Sequence, residues 1–447
     1  MTNPRRLGLV GATGIGVGSM LGAGVFSGMW ADVHGAGSWY LAALAIAALV
    51  ATANALSTAQ LAARHPVAGG AYAYGRAELG DFAGRLAGTA FIVGKTASVG
   101  VGAAVLGTYV LPGHPQVVAT GAIVLCWALN ARGITRTAAG ATAIAVIVSA
   151  VLATLIVLGA TVEYTDGSFD ALPFTASPAD AATGLPAVLA GASAAFFAFA
   201  GYARIATLGE EVVSPARTIP RAIGLALAWV LALYVGLAVV LRGVFDGGAV
   251  VGEAGVGSTV TFTVTETASV AEAPIAALGS VVGAPVGLVT VTAALAVGGA
   301  MLAVMAGAGR TAMAMAREGD LPRVLAHQGA QGAPVRAEAI IAVGAVALVW
   351  VPGIDLLLVS VATILTYYSV ANIAAMAQRR SGSIAALRVP IAVSAAGLLG
   401  SLVLGAVALV GSSATAWPAL VVAVIVVGWP IVLRVRSGGP RPGRTLT

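Results

Sequence analysis

Long apolar stretches separated by short polar segments run through the whole chain, and this alternation limits the possible folds more than any other feature. Only 9% of the 447 residues are charged, whereas a soluble domain carries about 25%. About 20 consecutive apolar residues are enough to cross a bilayer as a helix. The sequence therefore predicts an all-α polytopic membrane protein.

The apolar pattern predicts twelve transmembrane helices, with short spans at 116–131 and 339–354. The predicted spans are 7–30, 39–63, 84–111, 116–131, 138–161, 186–209, 221–245, 284–309, 339–354, 356–377, 389–411 and 416–433. Two connecting segments are longer than a simple turn requires. We expect a short surface helix within 246–283 and an amphipathic helix followed by a loop within 310–338.

The distribution of positive charge predicts the orientation of these spans. With the N-terminus inside, 20 of the 23 basic residues fall in cytoplasmic segments or at inner span ends, and the exceptions are Lys95, Arg204 and Arg242. The positive-inside rule then places both termini in the cytoplasm and requires an even number of spans. Because the basic residues are explained by this membrane topology, the charge does not indicate nucleic-acid binding. A single cysteine, Cys126, excludes an intrachain disulfide.

The first predicted span contains an unusual density of glycine. Its segment GIGVGSMLGAGVF, at 14–26, has five glycines in thirteen residues, and each interior glycine costs a helix about 1 kcal/mol relative to alanine. Interrupted membrane helices build substrate sites in many secondary transporters. A half-helix beginning near Gly22 would direct N–H groups and a positive dipole end at an anion such as a carboxylate. The alternative is a small-residue face for helix packing.

Four motifs, taken in this order, resemble those of the amino acid–polyamine–organocation (APC) transporters. They are GAGVF at 22–26, PVAGGAYAY at 66–74, FFAFAGY at 196–202 followed by EEVVSPARTIP at 210–220, and AREGDLP at 316–322. The resemblance extends over nearly the whole chain and is firmest in the first eight spans.

This resemblance implies one transporter domain, 1–433, of the LeuT-like APC fold, followed by a basic cytoplasmic tail, 434–447. Two inverted five-helix repeats, at about 7–161 and 186–377, would be followed by two extra helices at 389–433. Helices 1 and 6 would be discontinuous. The sequence itself places break candidates at matching positions in spans one and six, as an inverted repeat requires.

The resemblance also implies where a substrate amino acid would bind. The backbone at Gly22, Ala23 and Gly24 corresponds to the carboxylate-binding break, and small side chains let a substrate approach that backbone. Ser19 lies one turn earlier. In span six, backbone carbonyls would bind the substrate ammonium and Phe197 would act as an aromatic gate, although aromatic residues in a helix more often pack. The implied substrate-binding residues of this span are Phe197, Ala198, Gly201 and Tyr202.

Lys95 is the sole lysine of the chain and lies near the middle of predicted span three. An ionisable group at that depth indicates a functional site unless it snorkels to an interface. Some proton-coupled relatives carry a lysine in span five, where this chain has Val148 and Ser149. We therefore predict that Lys95 serves proton coupling. Sodium coupling is disfavoured because 300–309 offers no Ser or Thr oxygen ligand.

A second charged residue inside a predicted span is Arg204. It is predicted to pair with Glu210 or Glu211 and close an inner gate; simple anchoring at the membrane interface is the alternative. No Asp or Glu lies inside a predicted span, with Glu338 and Asp355 just outside the span edges. A cationic substrate would want an acidic partner, so we expect a neutral amino acid.

These expectations combine into a secondary active transporter that imports amino acids with protons by alternating access, as a monomer or homodimer in the lipid bilayer. An exchanger of amino acids or polyamines with the same fold is one alternative, and an amino-acid-binding sensor without transport is another. No nucleophile–base pair or metal-ligand set indicates an enzyme, and no cofactor is predicted. Tyr367, Tyr368 and Asn372 are expected to pack between helices rather than line the pathway.

Overall fold

The computed structural model describes residues 7–65, 69–133, 138–162, 184–206, 208, 212–245, 272–329, 332–380, 387–411 and 421–436. Within these ranges the regular structure is helical. A parallel β-bridge between Leu7 and Val212 is isolated and belongs to no strand. The all-α prediction is therefore confirmed for the part of the chain that is described.

The helices follow one another closely along the chain. They are α1 (Leu9–Met20), α2 (Ala23–Phe26), α3 (Met29–His34), α4 (Tyr40–Arg64), α5 (Ala71–Leu79), α6 (Asp81–Val110), α7 (Pro115–Ala131), α8 (Ala138–Gly159), α9 (Gly184–Phe199), α10 (Ala203–Ala206), α11 (Pro215–Phe245), α12 (Pro274–Val281), α13 (Val286–Arg317), α14 (Val335–Val349), α15 (Leu356–Arg380), α16 (Ile391–Gly411) and α17 (Trp429–Arg436). A 3₁₀ turn at Ala200–Tyr202 separates α9 from α10, and a π-helical turn at Val424–Gly428 precedes α17.

Nine helical segments in the described ranges are long and apolar enough to cross a bilayer. The chain is therefore a multi-pass membrane protein. The other three predicted spans form shorter helices: α7 has 17 residues, α14 has 15, and the last apolar segment is Val421–Val435. The count of twelve spans remains a prediction.

Two connecting segments differ from the sequence-based expectation. The short helix α12 does form near the predicted place, but it is no surface helix, because Ile275 and Leu278 are fully buried and the helix packs against α11 and α13. The predicted amphipathic helix after span eight is instead the continuous end of α13, which runs unbroken to Arg317. Its apolar face packs inward, so no separate helix is needed.

Helices α6 and α15 lie at the centre of the bundle. In each of these two helices, 78% of the most apolar 18-residue stretch is buried inside the protein, compared with 28% of the corresponding stretch in the peripheral helices α8 and α16. Helix α6 packs against α5, α7, α13, α14 and α15. A side chain in the middle of α6 is therefore held among protein helices and not against lipid.

Candidate functional site

The first predicted span is interrupted at Leu21 and Gly22. Helix α1 ends at Met20, and the N–H of Leu21 donates to the carbonyl of Val17, 2.8 Å away. Gly22 then leaves the helical region with ψ −130°, and α2 begins at Ala23. The glycine-rich segment therefore contains a break, as the sequence predicts.

The glycines beside the break also serve close packing. A β-carbon on Gly22 would overlap the side chain of Ala300, and one on Gly24 would overlap the backbone of Ala198. A β-carbon on Gly201 would meet the carbonyl group of Ser19. A helix break and a small-residue packing face are therefore compatible explanations for these glycines. Gly22 lies in the break, and Gly24 and Gly201 let the neighbouring segments touch.

Two tyrosines satisfy backbone carbonyls at the interruptions. Tyr234 of α11 donates to the carbonyl of Met20 at 2.8 Å and lies 3.3 Å from the carbonyl of Ala198. Tyr368 of α15 lies 3.5 Å from the carbonyl of Ala200, in the 3₁₀ turn. The second predicted break is thus a tightened 3₁₀ turn with helix on both sides, a smaller deviation than the break in the first span.

A cavity lies beside these interruptions. It encloses about 750 Å³ of space between atoms, including the part open to solvent. Ser19 lines it from α1, Gly201 from the 3₁₀ turn and Lys95 from α6, while Arg310 lines it near the end of α13. The cavity therefore begins at the break region and extends toward the end of the bundle at which α13 finishes.

The structure brings only part of the predicted substrate-binding set to this cavity. Ser19 and Gly201 line it, together with Lys95 and Arg204. The other six predicted residues lie outside its lining: Gly22, Ala23, Gly24, Phe197, Ala198 and Tyr202. Gly22 and Gly24 are covered by the alanines named above, and Ala198 and Tyr202 are buried in the helix bundle.

Lys95 occupies the centre of the bundle, as predicted. Its side chain is 9% exposed, and its ammonium nitrogen lies 5.8 Å from the ring centroid of Phe91. Among the described residues it has neither a hydrogen-bond acceptor nor a carboxylate partner. An ammonium group in such a place is stabilised by water or by a bound anion.

The lining of the cavity is positively charged. Lys95, Arg204 and Arg310 all contribute to it, and none of its described residues is acidic. The predicted partners of Arg204, Glu210 and Glu211, lie outside the described residues. Their pairing with Arg204 therefore stays a prediction.

A buried carboxylate lies near the same end of the bundle, beyond the cavity. Asp320, which follows α13, is 2% exposed. It accepts hydrogen bonds from Tyr72 and Arg85, each at 2.8 Å, and from Arg76 at 3.2 Å. Its backbone carbonyl accepts a bond from the indole of Trp429 at 3.1 Å. The AREGDLP motif thus ties α5, α6 and α13 to the segment at the end of the described chain.

The sequence did not identify all residues of the site. Tyr367 was expected to pack, but it also lines the cavity, and its hydroxyl accepts a bond from the backbone N–H of Ala71 at 3.0 Å. Glu338 was placed outside a span, but it lies within α14 and is 1% exposed. Tyr234 carried no sequence signal, because a tyrosine within an apolar helix is indistinguishable from a packing residue until its neighbours are known.

The chain is similar to known proteins over most of its length. A family model described as amino acid permease matches residues 7–430. An uncharacterized transporter of Mycobacterium tuberculosis is 41% identical over 382 residues, which cover 83% of this chain and 80% of the relative. The vacuolar cationic amino acid transporter 2 of Arabidopsis thaliana is 28% identical, covering 80% of this chain and 57% of the relative. The methylthioribose transporter of Bacillus subtilis is 25% identical, and the match covers 72% of this chain and 69% of the relative.

Proposed function

Because the chain belongs to the amino acid permease family, we propose that it imports amino acids across the cytoplasmic membrane by alternating access, driven by protons. That it is a membrane transporter of this family and not an enzyme follows from the family itself. The substrate, the coupling ion and the direction of transport form the proposal.

The observation that carries the proposal is the cavity beside the interrupted first span. Helix α1 ends at Met20, and the cavity is lined by Ser19, two residues before the break at Leu21. A broken membrane helix is tolerated where it is buried in protein or lines a water-filled space. The broken helices of secondary transporters lie at such sites and bind the charged groups of the substrate with their free backbone groups.

The proposed site is a composite of the break and the cavity. The amides at Gly22, Ala23 and Gly24 would bind the substrate carboxylate when the segments that cover them, at Ala300 and Ala198, separate during the transport cycle. In the present arrangement the cavity extends from Ser19 toward Arg310. Because the predicted topology puts that end of the bundle on the cytoplasmic side, we propose that this conformation is inward-facing.

Proton coupling is proposed for Lys95. Its central position and the absence of an ion partner among the described residues allow it to exchange a proton with cavity water. We propose that it takes over the role of the span-five lysine of proton-coupled relatives from a position in α6 that lines the cavity.

A neutral amino acid is the proposed substrate. One relative is named as a transporter of cationic amino acids and another as a transporter of methylthioribose. Membership of the family therefore does not determine the substrate. The cavity offers a cationic side chain no acidic partner among its described lining residues, and it would repel such a side chain by Coulomb interaction.

A binding screen followed by a transport assay tests the function. Thermal shifts of the purified protein against amino acids and amines identify ligands, because a ligand that binds only the folded state raises Tm. Counterflow and uptake are then measured in proteoliposomes, with and without a pH gradient. We expect uptake of a neutral amino acid that an inwardly directed proton gradient accelerates, and in Lys95→Ala we expect the gradient to lose its effect.

The same assays separate the alternatives. Obligatory exchange that is indifferent to the pH gradient would establish the exchanger, and saturable binding without uptake would establish the sensor. The inner gate is tested with Arg204→Ala, in which we expect faster leak than in Arg242→Ala. Arg242 is the matched control, since it stacks over Tyr40, 5.4 Å from the ring centroid, and does not line the cavity.

A further inference from the structure

The amine of Lys95, which pairs with no residue in the described part of the chain, lines a cavity that holds further donors. An ammonium group carries three N–H donors, and none of those of Lys95 has an acceptor among the described residues. Because the side chain is nine-tenths buried, bulk water does not surround it. Its charge is therefore most readily satisfied by a ligand inside the cavity.

Tyr367 is the second donor, and it lines the same cavity as the lysine. The ring centroid of Phe91 lies 5.8 Å from the Lys95 ammonium nitrogen and 4.9 Å from the ring centroid of Tyr367. The Tyr367 oxygen accepts the N–H of Ala71. Because a phenol can accept and donate at once, its own hydrogen remains free for a ligand.

The beginning of helix α5 adds a third favourable element. The residues that precede its first turn, Gly69 and Gly70, both line the cavity, and both have positive φ, 113° and 55°. A helix N-terminus carries a partial positive charge that favours anions. The nine residues of α5 therefore direct this charge toward the same space as Lys95 and Tyr367.

We propose that Lys95, Tyr367 and the N-terminal end of α5 form an anion subsite that binds the side-chain carboxylate of an acidic amino acid. The inference rests on the proposed function, in which the break holds the α-carboxylate. It keeps the neutral amino acid of that proposal as a substrate, whose α-carboxylate the break binds, and adds an acidic amino acid as a second substrate that binds more tightly through its side-chain carboxylate.

Isosteric substrate pairs test the subsite directly. Glutamate and glutamine differ in one charged group at nearly constant volume, as do aspartate and asparagine. Calorimetric titration of the purified wild type should give about tenfold tighter binding of glutamate than of glutamine, which corresponds to about 1.4 kcal/mol. Lys95→Met should lower the affinity for glutamate more than the affinity for glutamine and so remove this preference.

Glutamine binding is the internal control, since a Lys95→Met protein that still binds glutamine is folded. If that variant binds neither ligand, the subsite is tested with Tyr367→Phe instead. We expect this variant to lose about threefold in affinity for glutamate and to keep its affinity for glutamine. Equal wild-type affinities for the two amino acids, or a preference that survives both substitutions, would overturn the subsite and leave the transport proposal intact. Failure of the wild type to bind any amino acid would overturn the transport proposal itself.

Discussion

The hydroxyl of Tyr234 donates to the carbonyl oxygen of Met20, 2.8 Å away, at the residue where helix α1 ends. The hydroxyl oxygen of Tyr234 also lies 3.3 Å from the carbonyl oxygen of Ala198, shortly before the 3₁₀ turn of the sixth predicted span. One buried side chain from α11 thus joins both interruptions. Because a carbonyl released from a membrane helix must find another donor, this contact stabilises the break.

Replacing Tyr234 by phenylalanine should destabilise the protein by about 1–2 kcal/mol, because the carbonyl of Met20 loses its donor while remaining buried. We also expect weaker binding of the transported ligand, since the break would lose its fixed geometry. Thermal unfolding in detergent and ligand-induced thermal shifts measure both effects. Tyr74→Phe is the matched control, because that tyrosine is equally buried and its hydroxyl makes no hydrogen bond to a described residue. Equal effects of the two substitutions would contradict the stabilising role of Tyr234.

The break and its supporting tyrosine also show what a sequence can predict. The interruption near Gly22 is visible in the local density of glycine, and Lys95 stands out because charge is rare in an apolar span. The role of Tyr234 depends on residues more than 200 positions away in α1, and no local pattern encodes that contact. The burial of α12 was missed for the same reason, since its apolar face became interior only when α11 and α13 packed around it.

The buried carboxylate of Asp320 gives a second prediction. Asp320→Asn removes the negative charge that Arg76 and Arg85 share, at 3.2 and 2.8 Å. Breaking a buried ion pair by removing one partner is strongly destabilising, so we expect a loss of about 3 kcal/mol in unfolding free energy. Thermal or denaturant unfolding in detergent measures it.

A neighbouring carboxylate provides the control for that measurement. Asp81 pairs with Arg76 at 3.0 Å, but its side chain is 40% exposed. Exposed ion pairs contribute about 0–1 kcal/mol, so Asp81→Asn should change stability by no more than that. An Asp320→Asn protein as stable as Asp81→Asn would show that the buried cluster is energetically unimportant.

A third prediction concerns the dependence of stability on pH. Asp32, in α3 beyond the first span, is exposed to solvent, but the partial desolvation that the neighbouring protein imposes, together with repulsion from Asp355, raises its pKa from 3.8 to about 6. Because this pKa is higher in the folded state, the folded protein binds the proton more tightly and gains stability from Asp32 as pH falls through 6. Above that pH the ionised carboxylate destabilises the fold.

Asp32→Asn should therefore raise Tm at pH 7.5, and the gain should shrink toward pH 4.5, where the wild-type carboxyl is itself largely protonated. The comparison uses the difference in Tm between variant and wild type at each pH, which cancels the other titrating groups. A difference in Tm that is constant from pH 4.5 to 7.5 would contradict the raised pKa.

The last prediction concerns the polar contacts that hold α16 against the bundle. Asn54 of α4 donates to the Ser401 hydroxyl of α16 at 2.9 Å and accepts from the Asn372 amide of α15 at 2.6 Å. All three side chains are buried. Hydrogen bonds between membrane helices contribute about 0.6 kcal/mol on average, with a maximum near 1.7.

Asn54→Ala breaks both contacts at once and leaves two buried polar partners, so we expect a loss of about 1–2 kcal/mol. Thr52→Ala, two residues earlier on the exposed face of α4, removes only a bond from the threonine to the carbonyl of its own helix at Ala48 and should change Tm little. Ser401→Ala should lower Tm less when it is added to Asn54→Ala than when it is made in the wild type, because both substitutions remove the same hydrogen bond. Fully additive changes in Tm would mean that the two side chains are energetically independent and that apolar packing alone holds α16 in place.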